Sequence, residues 1–240
     1  ASTVKFDSSA TTFAAADIQS SVTTSLTNFN RDNLLSFNSQ YRASEVSRLI
    51  DNTDTSILNN TTSVKLSKFL TPTTGSTVSY NISFNNALLH PENGYLSSTG
   101  GILTSTGFKV GTDTTSEFFF DDDGEGNLRR YSLVGTTRSY ADLQAGSIDY
   151  SSGVIKINNI NITSISDVDD ATSLQIRIVV SPSSNDIVPV RNQILEIDFA
   201  NSTITASADT QSSSGSSIST SGSGTSTTTT VSTSGGSSSY

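Results

Sequence analysis

The strongest constraint on the fold is a series of short apolar segments between residues 102 and 208, separated by turn residues. Alternating apolar and polar residues, bounded by Gly, Asn, Asp and Ser, are typical of antiparallel β-strands. The pattern predicts an antiparallel β-sandwich or open barrel in this part of the chain. The predicted strands are 102–110, 117–120, 128–134, 146–150, 154–160, 174–180, 194–199 and 203–208.

The first 91 residues combine helical and strand patterns. The spacing of apolar residues predicts a helix at residues 17–33 with these residues on one face. A second helix is predicted at 44–51. A short strand or arm is expected within residues 1–10. Alternation then predicts strands within 56–70 and at 78–84, which the turn between them would join as an antiparallel hairpin. The apolar residues of the first helix are Ile18, Val22, Leu26 and Phe29.

The last 30 residues, 211–240, are uncharged and consist mainly of Ser, Thr and Gly. Ordering a backbone costs about 1–2 kcal/mol per residue. The apolar residues Ile218, Val231 and Tyr240 are worth about 1.5–3 kcal/mol each when buried, which cannot offset that cost. We expect a disordered-type tail in the isolated chain.

The predicted fold class is α+β. The chain divides into an α+β unit (1–91) with two helices packed on a small sheet, an antiparallel β domain (92–210) and the tail (211–240).

Charge and composition exclude several functions. The net charge of −9 argues against binding to nucleic acid or to an anionic membrane, because both attract basic surfaces. No segment approaches the roughly 20 apolar residues that span a bilayer. The chain has no Cys and one His, His90, and it contains no phosphate-binding loop, dinucleotide fingerprint or nucleophile elbow. We therefore expect a protein that is not an enzyme and has no cofactor. Because it has no Met, we also expect a fragment of a longer protein or a processed form.

One acidic loop has the composition of a calcium site. Aspartate, glutamate and asparagine side chains recur at alternating positions, as in the first half of an EF-hand loop. Ser132 stands where that loop needs a bidentate Glu, and the flanking segments predict strands instead of helices. The other interpretation is a hairpin tip, where these residues supply turn geometry. The candidate calcium ligands are Asp121, Asp123, Glu125 and Asn127.

Four segments in order resemble one protein family. These segments are 50–72, 118–131, 146–155 and 184–195, and the similarity spans about residues 15–210. Together they resemble the C-terminal part of the baseplate J type wedge proteins, of the gene product 6 type, found in contractile-tailed T-even-like phages and cyanophages. The resemblance implies a structural protein of the virion tail baseplate, assembled in the host bacterial cytoplasm.

The resemblance also implies how the protein acts. Copies would pair with each other and with other baseplate wedge proteins in an inner ring, without catalysis. The candidate interface residues are Phe118, Phe119, Phe120, Arg191, Asn192 and Gln193. The alternative is a bacterial cell-surface adhesin or carbohydrate-binding β module with a Ser/Thr-rich stalk, in which the acidic loop binds calcium.

Overall fold

The computed structural model describes residues 1–90, 101–166, 174–190 and 193–209. Within these ranges the chain forms two α-helices, a π-helical turn and twelve β-strands. The helices are α1 (Ala15–Phe29) and α2 (Ala43–Asp51), and the π-helical turn is Asn30–Leu34. The strands are β1 (Ser2–Phe6), β2 (Ile57–Thr62), β3 (Leu66–Leu70), β4 (Thr77–Ser83), β5 (Leu103–Ser105), β6 (Phe108–Val110), β7 (Phe118–Asp122), β8 (Asn127–Val134), β9 (Thr137–Asp149), β10 (Val154–Ile165), β11 (Ile176–Val180) and β12 (Ile204–Ala208).

The N-terminal part is a three-stranded sheet covered by both helices. The strand order is β12-β1-β2, with β12 parallel and β2 antiparallel to β1. Val4 and Phe6 of β1 lie buried against the helices. The predicted helical face is confirmed, because the four apolar residues of its pattern are the buried residues of α1.

Helix α1 forms although Ser and Thr fill many of its positions. The Asp17 carboxylate accepts the Ala14 N–H at 2.9 Å, which satisfies one free donor at the start of the helix. The hydroxyls of Thr23, Thr24 and Thr27 donate to carbonyls one turn earlier. These local bonds make such residues compatible with a helix whose stability comes from its buried face.

The central part of the molecule is a closed barrel of five antiparallel strands. The order is β6-β7-β8-β9-β10, and β10 closes the barrel by pairing with both β9 and β6. Strand β4 pairs with β10 outside this ring. The interior is filled by apolar side chains that include Phe108, Phe120, Leu128, Ile155 and Ile157. The predicted α+β class with a mostly antiparallel β part is therefore confirmed, and closure removes the open edge of the barrel.

The predicted hairpin of the third and fourth strands is wrong. Strand β3 pairs with β11 in a separate three-stranded sheet of order β3-β11-β5, whereas β4 pairs with β10. The alternating residues Ile176, Ile178 and Val180 of β11 are fully buried, so β3 gains an apolar partner there. The short connection between β3 and β4 crosses from one sheet to another.

The predicted strand at 194–199 is also wrong. This segment forms no ladder, and the Ile197 N–H donates to the side-chain oxygen of buried Asn30 at 2.8 Å. Leu195, Ile197 and Phe199 pack against the N-terminal core. Alternating apolar residues therefore mark an extended, half-buried segment here, but its backbone bonds to a side chain instead of a neighbouring strand.

The predicted division near residue 91 remains a prediction. Residues 91–100 lie outside the described residues, as does the predicted tail at 211–240. Strands from both sides of that boundary share sheets, since β12 completes the N-terminal sheet and β4 joins the barrel. Neither helix of the described residues has the length and apolarity that crossing a bilayer requires.

Candidate interaction surfaces

The three consecutive phenylalanines of the predicted interface lie on β7 in two different environments. Phe120 is fully buried and packs on Phe108 with 4.6 Å between ring centroids. Phe118 and Phe119 are half-buried and keep part of their rings at the surface. Phe120 therefore belongs to the barrel interior, and an interface on this strand would have to use the two others.

Phe119 belongs to an arginine–aromatic cluster on β7, β8 and β9. We define this cluster as Phe119, Arg129, Tyr131, Arg138 and Tyr140. Phe119 stacks on Tyr131 at 5.6 Å, and Tyr131 contacts Tyr140 at 5.9 Å between centroids. The guanidinium of Arg138 lies 4.6 Å from the Tyr131 ring, and that of Arg129 lies 4.3 Å from the Tyr140 ring. Strand register sets these contacts, because Tyr131 faces both Phe119 and Tyr140.

One buried carboxylate holds the arginine–aromatic cluster together. Asp121 accepts from Arg129 Nε at 2.9 Å, Arg138 Nη1 at 2.6 Å and the Tyr140 hydroxyl at 2.9 Å. Burial and the adjacent Asp121 carboxylate raise the pKa of Tyr140, so its hydroxyl stays protonated and donates. This carboxylate acts as a structural anchor, and its oxygens already have cationic and hydroxyl partners.

The next acidic residue on the same side shapes the tip between β7 and β8. Asp123 accepts from the backbone N–H of Glu125 at 2.8 Å and from the backbone and side-chain nitrogens of Asn127 at 3.0 and 2.6 Å. Burial opposes the change, yet these hydrogen bonds hold the pKa of Asp123 below its ordinary value. Gly124 and Gly126 have positive φ angles of 82° and 99°, a conformation that favours glycine.

The geometry of this loop is that of a turn. Asp121 faces its arginines and Asp123 faces the turn, so the two carboxylates are engaged in different places. Across the described ranges, no group of three or more His, Cys, Asp or Glu side chains is arranged to hold a metal ion. Calcium binding by this loop stays a prediction.

A buried carboxylate–tyrosine pair was missed by the sequence reasoning. Asp122 is fully buried and accepts from the Tyr150 hydroxyl at 2.6 Å and from the Leu103 N–H at 2.9 Å. The pair joins β7 to the end of β9 and to β5. The available signal was strand alternation, which turns Asp122 to the opposite side of β7 from Asp121 and Asp123.

We expect Tyr150 to resist ionisation at high pH. Burial, followed by the hydrogen bond to Asp122, raises its pKa far above the ordinary value of about 10. A raised pKa in the folded state means that the contribution to stability is complete below about pH 10 and is lost as pH rises towards the folded value. Tyrosinate absorbance titrations of the wild type and Tyr150→Phe measure this difference.

The titration has two clear outcomes. In wild type, more than one tyrosine should ionise late because the pKa of Tyr140 is raised as well, and Tyr150→Phe should remove one tyrosine equivalent from the latest phase, which accompanies unfolding. The variant should also lose about 1–3 kcal/mol of unfolding free energy at neutral pH, because buried Asp122 loses a donor. A Tyr150 that titrates near pH 10 in the folded protein would contradict the buried pair.

The second predicted interface segment lies mostly outside the described residues. Arg191 and Asn192 fall in the gap between residues 190 and 193, outside the described residues. Gln193 is half-buried, and its N–H donates to the Val190 carbonyl at 3.1 Å. The neighbouring Val190 and Ile194 side chains are exposed. An interface at this segment stays a prediction.

Comparison with known proteins supports one family. Residues 1–68 match the family model described as baseplate structural protein gp6, C-terminal domain III. The matched span covers β1, both helices, β2 and part of β3. A search of curated proteins finds no match. The similar segments beyond residue 68 stay predictions. Residues 1–68 are therefore similar to a baseplate structural domain of the gp6 type, in agreement with the sequence resemblance.

Proposed function

We propose that this protein is a structural component of a phage tail baseplate, where it helps to form the inner wedge ring through contacts with its own copies and with neighbouring proteins. The observation that carries the proposal is the match of residues 1–68 to a baseplate structural domain. The protein acts in the virion and performs no catalysis. The adhesin alternative is not favoured, because the family match points to the baseplate.

The attachment of the matched domain to the rest of the chain supports a load-bearing role. The Ala43 N–H at the start of α2 donates to the Asp186 carboxylate at 2.8 Å. Tyr41 and Ile187 exchange two backbone hydrogen bonds at 2.9 and 3.0 Å. In the separate three-stranded sheet, Arg177 Nη1 of β11 lies 3.7 Å from Oδ2 of Asp198, which precedes β12. Force on one part of the molecule would therefore pass to the other through several separate contacts.

Exposed apolar side chains in the matched domain are candidate contacts for neighbouring proteins. Phe37 is 64% exposed and Leu35 is 45% exposed, directly after the π-helical turn. Single exposed apolar residues are common on monomers. Two such residues on one short loop suit an interface, where burial of aromatic side chains dominates binding.

The proposal predicts that the purified full chain self-associates. We expect light scattering to give a mass that rises from the 25.2 kDa of one chain to that of a dimer or larger species as concentration increases. A strictly monomeric mass at the highest accessible concentration would contradict self-association. Co-purification with the baseplate proteins encoded beside it tests the neighbour contacts separately, and failure to bind any of them would contradict that part.

A further inference from the structure

Strand β12 forms an outer edge of the N-terminal sheet. In the described residues it pairs with β1 alone, in a parallel register that is unbroken from Ser2–Ile204 to Phe6–Ala208. The Ser2 N–H donates to the Thr203 carbonyl at 2.8 Å, and the Asp209 N–H donates to the Phe6 carbonyl at 2.8 Å. The odd-numbered residues of this strand therefore direct their backbone groups towards β1.

The even-numbered residues of β12 direct their backbone groups away from β1. These residues are Ile204, Ala206 and Ala208, and the described residues provide no second strand for them. Such a row of backbone donors and acceptors is a template for pairing with another strand. Strand β12 also contains no charged residue and no proline, the usual devices that prevent this pairing.

Three other sheet edges in the described residues carry such protection. Helix α2 reaches β2, where the Asn60 amide donates to the Ser47 carbonyl at 3.0 Å and to the Asp51 carboxylate at 2.7 Å. Lys68 places a charge on β3, and its ammonium donates to the Ser83 carbonyl at the end of β4. Strand β5 has three residues, which is short for a pairing edge. Strand β4 is a further edge without charge or proline, so the contrast singles out β12 within the N-terminal sheet, whose other edge is β2.

We propose that β12 pairs with β12 of a second copy of this chain, antiparallel and about a two-fold axis at Ala206. The pairing joins two three-stranded sheets into one continuous sheet across the dimer. The inference rests on the self-association proposed above and assigns it to one surface. In an isologous contact both copies use the same surface, so β12 can pair with β12 of the second copy.

The charge pattern of the edge fits a second copy. With the axis at Ala206, Ile204 faces Ala208 of the partner subunit, and Thr205 faces Ser207 of the partner subunit. Asp209 then lies opposite Thr203 of the partner subunit, so no two acids meet although each chain has a net charge of −9. Helix α1, which packs on β12, has Asp17 as its one charged residue. The paired strands themselves therefore bring no like charges together.

The expected affinity of the pairing is modest. Each hydrogen-bonded residue pair of an antiparallel ladder contributes two bonds, so the edge adds roughly six backbone hydrogen bonds. A contact between two short strands buries little area and suits a reversible interface. Within a ring, neighbouring copies are held at high effective concentration, and a weak edge contact then suffices.

The first test changes the edge while keeping the β1–β12 ladder. The Ala206 N–H points away from β1, so Ala206→Pro removes an outward donor and leaves the bonds to β1 in place. We expect the dimer dissociation constant, measured by light scattering or analytical ultracentrifugation of the full chain, to rise at least about tenfold. An unchanged dissociation constant in the folded variant would overturn the edge pairing and leave self-association intact.

The second test locates the contact and remains informative if the proline variant fails to fold. Because the chain has no Cys, single cysteines can be introduced without competing thiols. An equimolar mixture of Thr205→Cys and Ser207→Cys should form a disulfide-linked dimer under mild oxidation, since these positions face each other across the axis. The matched control replaces Thr205→Cys with Thr3→Cys. Thr3 lies beside Thr205, with 3.3 Å between their hydroxyls, but one strand further from the edge.

The outcomes separate the two proposals. Cross-linking in the Thr205/Ser207 mixture, above the level of the Thr3/Ser207 mixture, supports the edge pairing. A wild-type dimer in which both mixtures cross-link equally poorly would overturn the β12 contact and show that self-association uses another surface. A monomeric wild-type chain without cross-links would overturn self-association and this contact with it.

Discussion

Replacement of Phe120 by Ala should lower the free energy of unfolding by about 3–5 kcal/mol. Phe120 is fully buried in the barrel and packs on Phe108, so its removal leaves a cavity that closed strands cannot easily fill. Phe119→Ala is the matched control, because the adjacent ring is half-exposed and its loss should cost clearly less. Urea denaturation of both variants at equal protein concentration measures the difference.

The pair of variants also tests where an interface can lie on β7. If Phe119→Ala weakens self-association or neighbour binding with little loss of stability, the strand contributes to an interface through its exposed side. Equal losses of stability in the two variants would contradict the inward position of Phe120 and the outward position of Phe119.

Replacement of Asp121 by Ala should destabilise the fold by a similar amount, about 3–5 kcal/mol. The change leaves the buried guanidinium of Arg129 without its carboxylate and removes a partner from Arg138 and Tyr140. Removal of one partner of a buried ion pair is costly because the other charge has lost its solvation and its counterion.

The neighbouring Asp123→Ala variant is the control for Asp121→Ala. Asp123 has the same chemistry two residues away, but it lies at the half-buried tip and bonds to the turn. We expect a smaller loss of stability from this variant in the same urea denaturation experiment. A larger loss from Asp123→Ala than from Asp121→Ala would show that the arginine–aromatic cluster is not a stabilising element of the barrel.

Sequence patterns predicted the local structure of this protein well. The spacing of Ile18, Val22 and Leu26 is enough to identify the buried face of α1, because helix periodicity is a local property. Alternation identified most of the strands for the same reason. The segment at 194–199 shows the limit, since alternation reports burial on one side and does not report the partner of the backbone.

Pairing and site chemistry were harder to predict from sequence. The pairing of β3 with β11 depends on which apolar faces meet in space, and neither strand carries that information alone. Asp121, Asp122 and Asp123 look equivalent in sequence, yet they bond to arginines, to a tyrosine and to a turn. Their roles differ because alternation turns consecutive side chains to opposite sides. Their partners also lie elsewhere in the sequence, with Arg129 on β8, Arg138 on β9 and Tyr150 directly after β9.

The pairing of β1 with β12 has a consequence for how the molecule is made. Thr3 contacts Thr205 across 202 residues of chain, so the N-terminal sheet gains its third strand only after nearly all described residues have left the ribosome. Contacts between distant parts of a sequence slow folding, because the intervening chain must be ordered or confined first. During synthesis, one side of β1 stays unpaired until β12 has been translated. Residues 1–68 are therefore translated well before the strand that completes their sheet.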